Sequence, residues 1–254
     1  MTLPAMLLIH GAANGAWVWQ FWRRELRELG WDVNVLDLRG HGQSLPVDFS
    51  TVTMEDYVWD VESVMSQIKA RQGKTPILAG WSMGGLVAMM YAAKHQDVPA
   101  LVLFEPNAPV QVAGRASPED IRATPNTAMG PATYGVYPDD PQRSRTVMRD
   151  LSDAEIATVL ENSADAQESG FARRQRQRGI SIAFGVLPAP SLVVYGEQAD
   201  VLPQRTTRLA LYLGADTLAI PDASHWGLVM SERTVQDLAP KVDAWLRKLF
   251  AADA

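Results

Sequence analysis

The sequence predicts an α/β protein, a doubly wound, mostly parallel sheet of about six strands carrying a helical insertion. Three observations lead there. Short apolar runs recur along the chain, amphipathic stretches separate them, and one long interval, residues 107–189, lacks any convincing strand. Runs of four to eight continuous apolar residues suit parallel strands covered on both faces, and helix-length spacers between them imply right-handed crossovers.

The first strand is read in "AMLLIH" (5–10), the second in "DVNVLDL" (32–38), the third in "PILAGW" (76–81) and the fourth in "ALVLF" (100–104). "SLVVYG" (191–196) and "ADTLAI" (215–220) supply the last two. Helices are expected over 17–29, 54–71, 86–95, 204–213 and 231–250, with Gly30, Gly73 and Gly214 as stops. The expected strand order is 2-1-3-4-5-6. Within the interval, six prolines between Pro109 and Pro141 punctuate helix-compatible pieces such as "DAEIATVLENSADAQ". The expected division is a core of residues 1–106 and 190–254, with a helical cap of 107–189 over the carboxyl ends of the strands.

Composition narrows the function. A chain of 254 residues can bury a sizeable core, and the absence of cysteine excludes disulfides, thiolate ligands and cysteine nucleophiles. With 23 basic against 29 acidic residues the net charge is −6, which offers no basic footprint for nucleic acid or anionic lipid. Residues 107–182 carry nine arginines against ten acids, so the insertion gives no hint of a charged substrate. The apolar start, "MTLPAMLLIHGAA", has no basic leader, and no run approaches the roughly 20 residues of a membrane span. A cytoplasmic protein with a small-molecule partner is expected, its oligomeric state left open.

The stretch "GWSMGG" (80–85) follows the third strand and precedes a good helix, placing Ser82 at a strand-to-helix corner between Gly80 and Gly84. Small residues there permit a sharp turn that exposes the central hydroxyl at a helix start. A serine hydroxyl needs a base, and imidazole, with an unperturbed pKa near about 6.5, is the natural one. Of four histidines, His10 and His41 lie at or after early strands and His95 lies down the helix leading away from Ser82. His225, in "IPDASHWGLV" after the last strand, can reach over the strand ends.

An acid must then hold the imidazole tautomer. Asp200 in "EQADVLP" has the chain order nucleophile, acid, histidine and is preferred; Glu105, ending the fourth strand, is the alternative, and Glu197 reads as a solvated loop carboxylate. An oxyanion is expected to meet two backbone N–H groups, Met83 after the nucleophile and Ala12 in "HGAANGAW".

"LLIHGAANGAWVW", "DLRGHGQS", "AGWSMGG", "VVYGEQAD" and "DASHWG" together resemble the signature segments of the α/β-hydrolase superfamily. Among its members the chain is similar to small esterases of the plant methylesterase and hydroxynitrile lyase group and their bacterial relatives. That resemblance implies a triad of Ser82, Asp200 and His225, an oxyanion hole at Ala12 and Met83, and hydrolysis of a small carboxylic ester with water and without cofactor or metal. Two departures are expected: the usual N-terminal hairpin is absent, and Trp226 stands where the lyases of the group have a lysine after the histidine. The same triad also serves lactone, thioester, carbon–carbon and perhydrolysis chemistry, and the fold could instead serve as a non-catalytic small-molecule receptor.

Trp81 and Trp226 are expected in the pocket wall and Trp17 either at its mouth or, as the preferred reading, in the core with Trp19 and Trp22. Met129, Tyr134 and Phe171 could touch an acyl chain. "RRQRQR", Arg173 to Arg178, could mark an anion site, but a solvated face near Glu168 is the preferred reading.

Overall fold

In the computed structural model, which describes residues 3–187, 190–197 and 203–251, six strands form one parallel sheet. They are β1 (Met6–Ile9), β2 (Val33–Leu36), β3 (Ile77–Trp81), β4 (Leu101–Phe104), β5 (Ser191–Gly196) and β6 (Asp216–Ile220). Their order is β2-β1-β3-β4-β5-β6, as expected, so the chain winds outward twice from β1 and β3. The switch point between those two neighbours opens a crevice at the carboxyl ends of the strands.

Alternation along each strand feeds two separate apolar layers. Leu7, Ile9, Leu78, Leu101, Leu103 and Val193 face one side, where α2 (Met54–Gln72), α3 (Met83–Ala92) and α6 (Pro203–Leu213) cover them. Met6, Leu8, Ala79, Val102, Phe104 and Val194 face the other, beneath α1 (Gln20–Glu28), α4 (Asp153–Ser163) and α7 (Glu232–Ala251). Trp19 and Trp22 are fully buried there against Phe104, each edge-on to its ring. Burial is continuous in β1, β3 and β4 and is broken in β5 only at Tyr195; β2 and β6 lie at the sheet margins, where Asn34 and Asp216 are less covered.

Local signals set the helix ends. Thr53 caps α2 in a reciprocal box: its Oγ1 accepts from Asp56 N at 3.1 Å, and Asp56 Oδ2 accepts from Thr53 N at 2.8 Å. Between β4 and β5, residues 107–187 add no strand to the large sheet; they form short helices, α4, α5 (Gly170–Arg178) and a two-stranded ribbon pairing Ala128–Met129 with Glu168–Ser169. Ser169 Oγ donates to Phe49 O and Val52 O, and Gln175 Oε1 accepts from Met54 N, bolting this segment to the start of α2. Among the described residues no helix is long and apolar enough to cross a membrane.

Candidate active site

Ser82 sits between β3 and α3 with φ 54° and ψ −118°, a left-handed conformation costly for a side-chain-bearing residue. The neighbouring glycines make it attainable. A Cβ on Gly80 would meet Gly84 O at 2.4 Å, and one on Gly84 would meet Ile9 O at 2.3 Å, so β1, β3 and α3 approach as closely as they do only without side chains. Ser82 N donates to Phe104 O at 3.1 Å, and Ser82 O accepts from Asn107 N at 2.8 Å, tying the elbow to the end of β4.

The fourth strand ends in a second such residue. Glu105 has φ 40°, its N–H donates to Val194 O at 2.8 Å, and its side chain is fully buried. His225 Nδ1 donates to Glu105 Oε2 at 2.6 Å, which leaves Nε2 of the neutral ring as an acceptor. Glu105 Oε1 has no partner among the described residues, so the imidazole is the one group that faces this carboxylate with a hydrogen bond.

The loop bearing His225 is held by three residues from elsewhere in the chain and by one bond of its own. Trp81 Nε1 donates to His225 O at 3.1 Å, with the two rings 4.8 Å apart; Trp22 Nε1 donates to Leu228 O at 2.9 Å. Asp150 Oδ2 accepts from Ser224 N at 2.9 Å, and Ser224 Oγ accepts from Gly227 N at 3.0 Å. Asp150 was invisible in the sequence because it reaches this loop from the 107–187 segment with no spacing signal to mark it.

Ser82 and His225 line one cavity of about 260 Å³ together with Ala12, Asn14, Trp81, Asn107, Tyr134, Val147 and Trp226. The walls are mainly apolar. Ala12 N–H and Met83 N–H, the expected oxyanion donors, are taken by no other group of the protein among the described residues. The loop around Ala12 is shaped by Asn14 Nδ2, which donates to Ala12 O at 2.8 Å, and by Ala13 at φ 51°. Trp81 and Trp226 line the cavity, and Trp17 packs against the second apolar layer, its ring stacked with Trp226 at 6.3 Å.

Of the three acids weighed from sequence, Glu105 is the one bonded to His225 among the described residues, Asp200 lies outside them, and Glu197 is exposed. Arg173 and Arg176 depart from the expected solvated face. Their side chains are only 26% and 10% exposed and pair with the fully buried Glu168, at 3.6 Å and 2.8 Å. The run "RRQRQR" turns two of its members inward because i and i+3 share a helix face, which a count of charges does not show.

Comparison with known proteins agrees with this architecture. Residues 6–239 match the model of the alpha/beta hydrolase family. A pimeloyl-acyl-carrier-protein methyl ester esterase of Vibrio atlanticus is 38% identical over 95 residues, 37% of this chain and 33% of its own. Methylesterase 7 of Arabidopsis thaliana is 29% identical over 98 residues, 39% of this chain and 37% of its own. The matched stretches thus span about a third of each relative's length. A thermophilic esterase from Thermogutta terrifontis superposes with a TM-score of 0.74 at 23% identity, over 98% of this chain and 91% of that one. With its sheet order, its strained serine elbow and a family match over most of its length, this chain belongs to the α/β-hydrolase family.

Proposed function

We propose that the protein is a serine hydrolase of small carboxylic esters, working through an acyl-enzyme with Ser82 as nucleophile, His225 as base and Glu105 as the orienting carboxylate. The observation that carries this reading is the 2.6 Å bond from His225 Nδ1 to Glu105, with the imidazole opening onto the same cavity as Ser82. The esterase names of the relatives above support the same chemistry.

In this reaction His225 Nε2 takes the Ser82 proton as Oγ attacks the ester carbonyl. The tetrahedral oxyanion is met by Ala12 N–H and Met83 N–H, each worth roughly 3 kcal/mol to the transition state. His225 then passes its proton to the departing alkoxide, and the alcohol leaves. A water deprotonated by His225 attacks the acyl-enzyme, releasing the acid and restoring Ser82. Glu105 stabilises the imidazolium in both halves. Residues 107–189 serve as a cap on the core of 1–106 and 190–254, a role supported by Tyr134 and Val147 in the cavity wall.

Ser82→Ala is expected to lower turnover of a chromogenic acetate or butyrate ester by more than about 10⁴-fold while keeping the circular dichroism and unfolding midpoint of the wild type. Turnover within tenfold of wild type in folded Ser82→Ala would remove the nucleophile and the reading with it.

A further inference from the structure

A second limb of about 400 Å³ leaves Ser82 on the side away from Trp81 and Trp226, sharing Ala12, Ser82, Asn107 and Tyr134 with the first. Its character is opposite. Arg115, Arg173, Arg176 and Arg205 all line it, and among the described residues no acidic side chain does, in a chain whose net charge is −6. Glu168, buried behind the wall, is the carboxylate that answers Arg173 and Arg176.

The balance is incomplete. One carboxylate shared by two mostly buried guanidinium groups leaves positive charge in excess, and Arg173 Nε is buried without an acceptor among the described residues. Arg115 and Arg205, exposed at the mouth, make no hydrogen bond or ion pair among the described residues. Arg176 is anchored close to the elbow, its Nη1 within 3.0 Å of Met83 Sδ. Excess cationic charge in a partly desolvated wall is costly unless an anion enters to meet it, and planar guanidinium forks match carboxylate and phosphate oxygens.

We propose that this limb is an anion subsite, and that the substrate is a small ester whose remote end carries a carboxylate or phosphate. The inference rests on the serine-hydrolase reading and deepens it: the apolar limb takes the uncharged side of the ester, the arginine limb its charged side. The reaction remains ester plus water to acid plus alcohol, with the remote anion unchanged.

Two probe series separate the sources of the anion. Monoethyl esters of straight-chain dicarboxylic acids carry a carboxylate on the acyl side, and acetyl esters of hydroxyalkyl phosphates carry a phosphate on the alcohol side; each is compared with an uncharged ester of equal length. In at least one series kcat/KM for the charged ester is expected to exceed that of the uncharged one by at least fivefold, mainly through KM. The Arg115→Gln/Arg205→Gln variant, altered at exposed positions that leave the core intact, should bring that ratio below half its wild-type value. Arg71→Gln, at an exposed site on α2 paired with Asp32, should not. A ratio below fivefold in both series, or one that the double variant leaves above half, overturns the proposal. If Ser82→Ala keeps its turnover of the uncharged ester, the reaction itself is misassigned; calorimetric titration of inorganic phosphate into the protein with and without the two arginines then decides the subsite alone, and equal binding or none overturns it.

Discussion

Two glutamates end up fully buried beside the same cavity, and their partners could hardly differ more. Glu168 faces permanent cations, with Arg176 at 2.8 Å, Arg173 at 3.6 Å and the Tyr134 hydroxyl donating to its Oε1. Among the described residues Glu105 faces an imidazole alone, through one 2.6 Å hydrogen bond, with its second oxygen unpartnered. A carboxylate already matched by guanidinium charge holds structure together and has little left to give when a new charge develops. A carboxylate held by a neutral ring gains most when that ring becomes charged, which is the event a base must undergo during catalysis. The same side chain thus fixes architecture in one place and is poised for chemistry in the other.

The sharpest way to break this contrast is to neutralise Glu105. Glu105→Gln keeps the shape but loses the charge and the preference for Nδ1–H, so kcat is expected to fall by about 10³- to 10⁴-fold. The fold should persist, because no cation is left unanswered. Asp200→Asn, the acid preferred from chain order, serves as the counter-test and should cost less than about tenfold in the same ester assay. A larger loss from Asp200→Asn than from Glu105→Gln would return the orienting role to Asp200.

At Glu168 the opposite pattern is expected. Glu168→Gln strands Arg173 and Arg176 in a wall where they are only 26% and 10% exposed, and breaking a buried pair on one side typically costs about 3 to 5 kcal/mol. Urea unfolding of the variant should show a loss of about 3 kcal/mol. The turnover of an uncharged ester, measured on the fraction that remains folded, should change far less than in Glu105→Gln. A stability loss under about 1 kcal/mol would mean that solvent screens these arginines and that Glu168 is no different in kind from a surface carboxylate.

The difference between these two sites also explains what could be read in advance. Strand runs such as "SLVVYG", which became β5 without a shift of boundary, and the corner at Ser82 are local signals, set by apolar continuity and by glycines two residues either side. That His225, of four histidines, would lie beside Ser82 was reachable by elimination, and the two share one cavity. The acid was harder, since both Asp200 and Glu105 follow strands at the carboxyl edge, and only the register of β4 between β3 and β5 aims Glu105 at the imidazole. Arg173 and Arg176 escaped because net charge over 107–182 averages away a helix face, and Asp150 because its contact with Ser224 spans 74 positions. Long-range side-chain meetings leave no periodicity to detect.

The histidines offer the finest test of the same rule, that the partner decides the role. His10 Nδ1 donates to Gly11 O at 2.7 Å while its Nε2 accepts from Leu38 N at 3.1 Å, so the ring is locked neutral between two backbone groups. His41 lies 5.1 Å from it, ring centre to ring centre, donating to Arg39 O, with Nε2 unpartnered among the described residues. Burial pushes His10 down to about 4, and burial together with repulsion from His10 pushes His41 down to about 3. Both values lie below the unfolded value of about 6.5. Above that pH neither state is protonated and the full stability is present. Below it the unfolded chain takes up protons that the folded chain refuses, so stability falls as pH drops from about 6.5 towards the folded values. Each histidine contributes a slope of about 1.4 kcal/mol per pH unit within that window. Unfolding free energies from urea titrations at about pH 7.5, 6.5 and 5.5 should therefore fall slightly between the first two and about three times as much between the second and third. His41→Phe, whatever its absolute stability, should show about half the wild-type slope over that last interval. A wild-type curve that stays flat down to about pH 5.5 would show that these rings accept protons in the folded state, and that burial beside backbone groups does not hold them neutral.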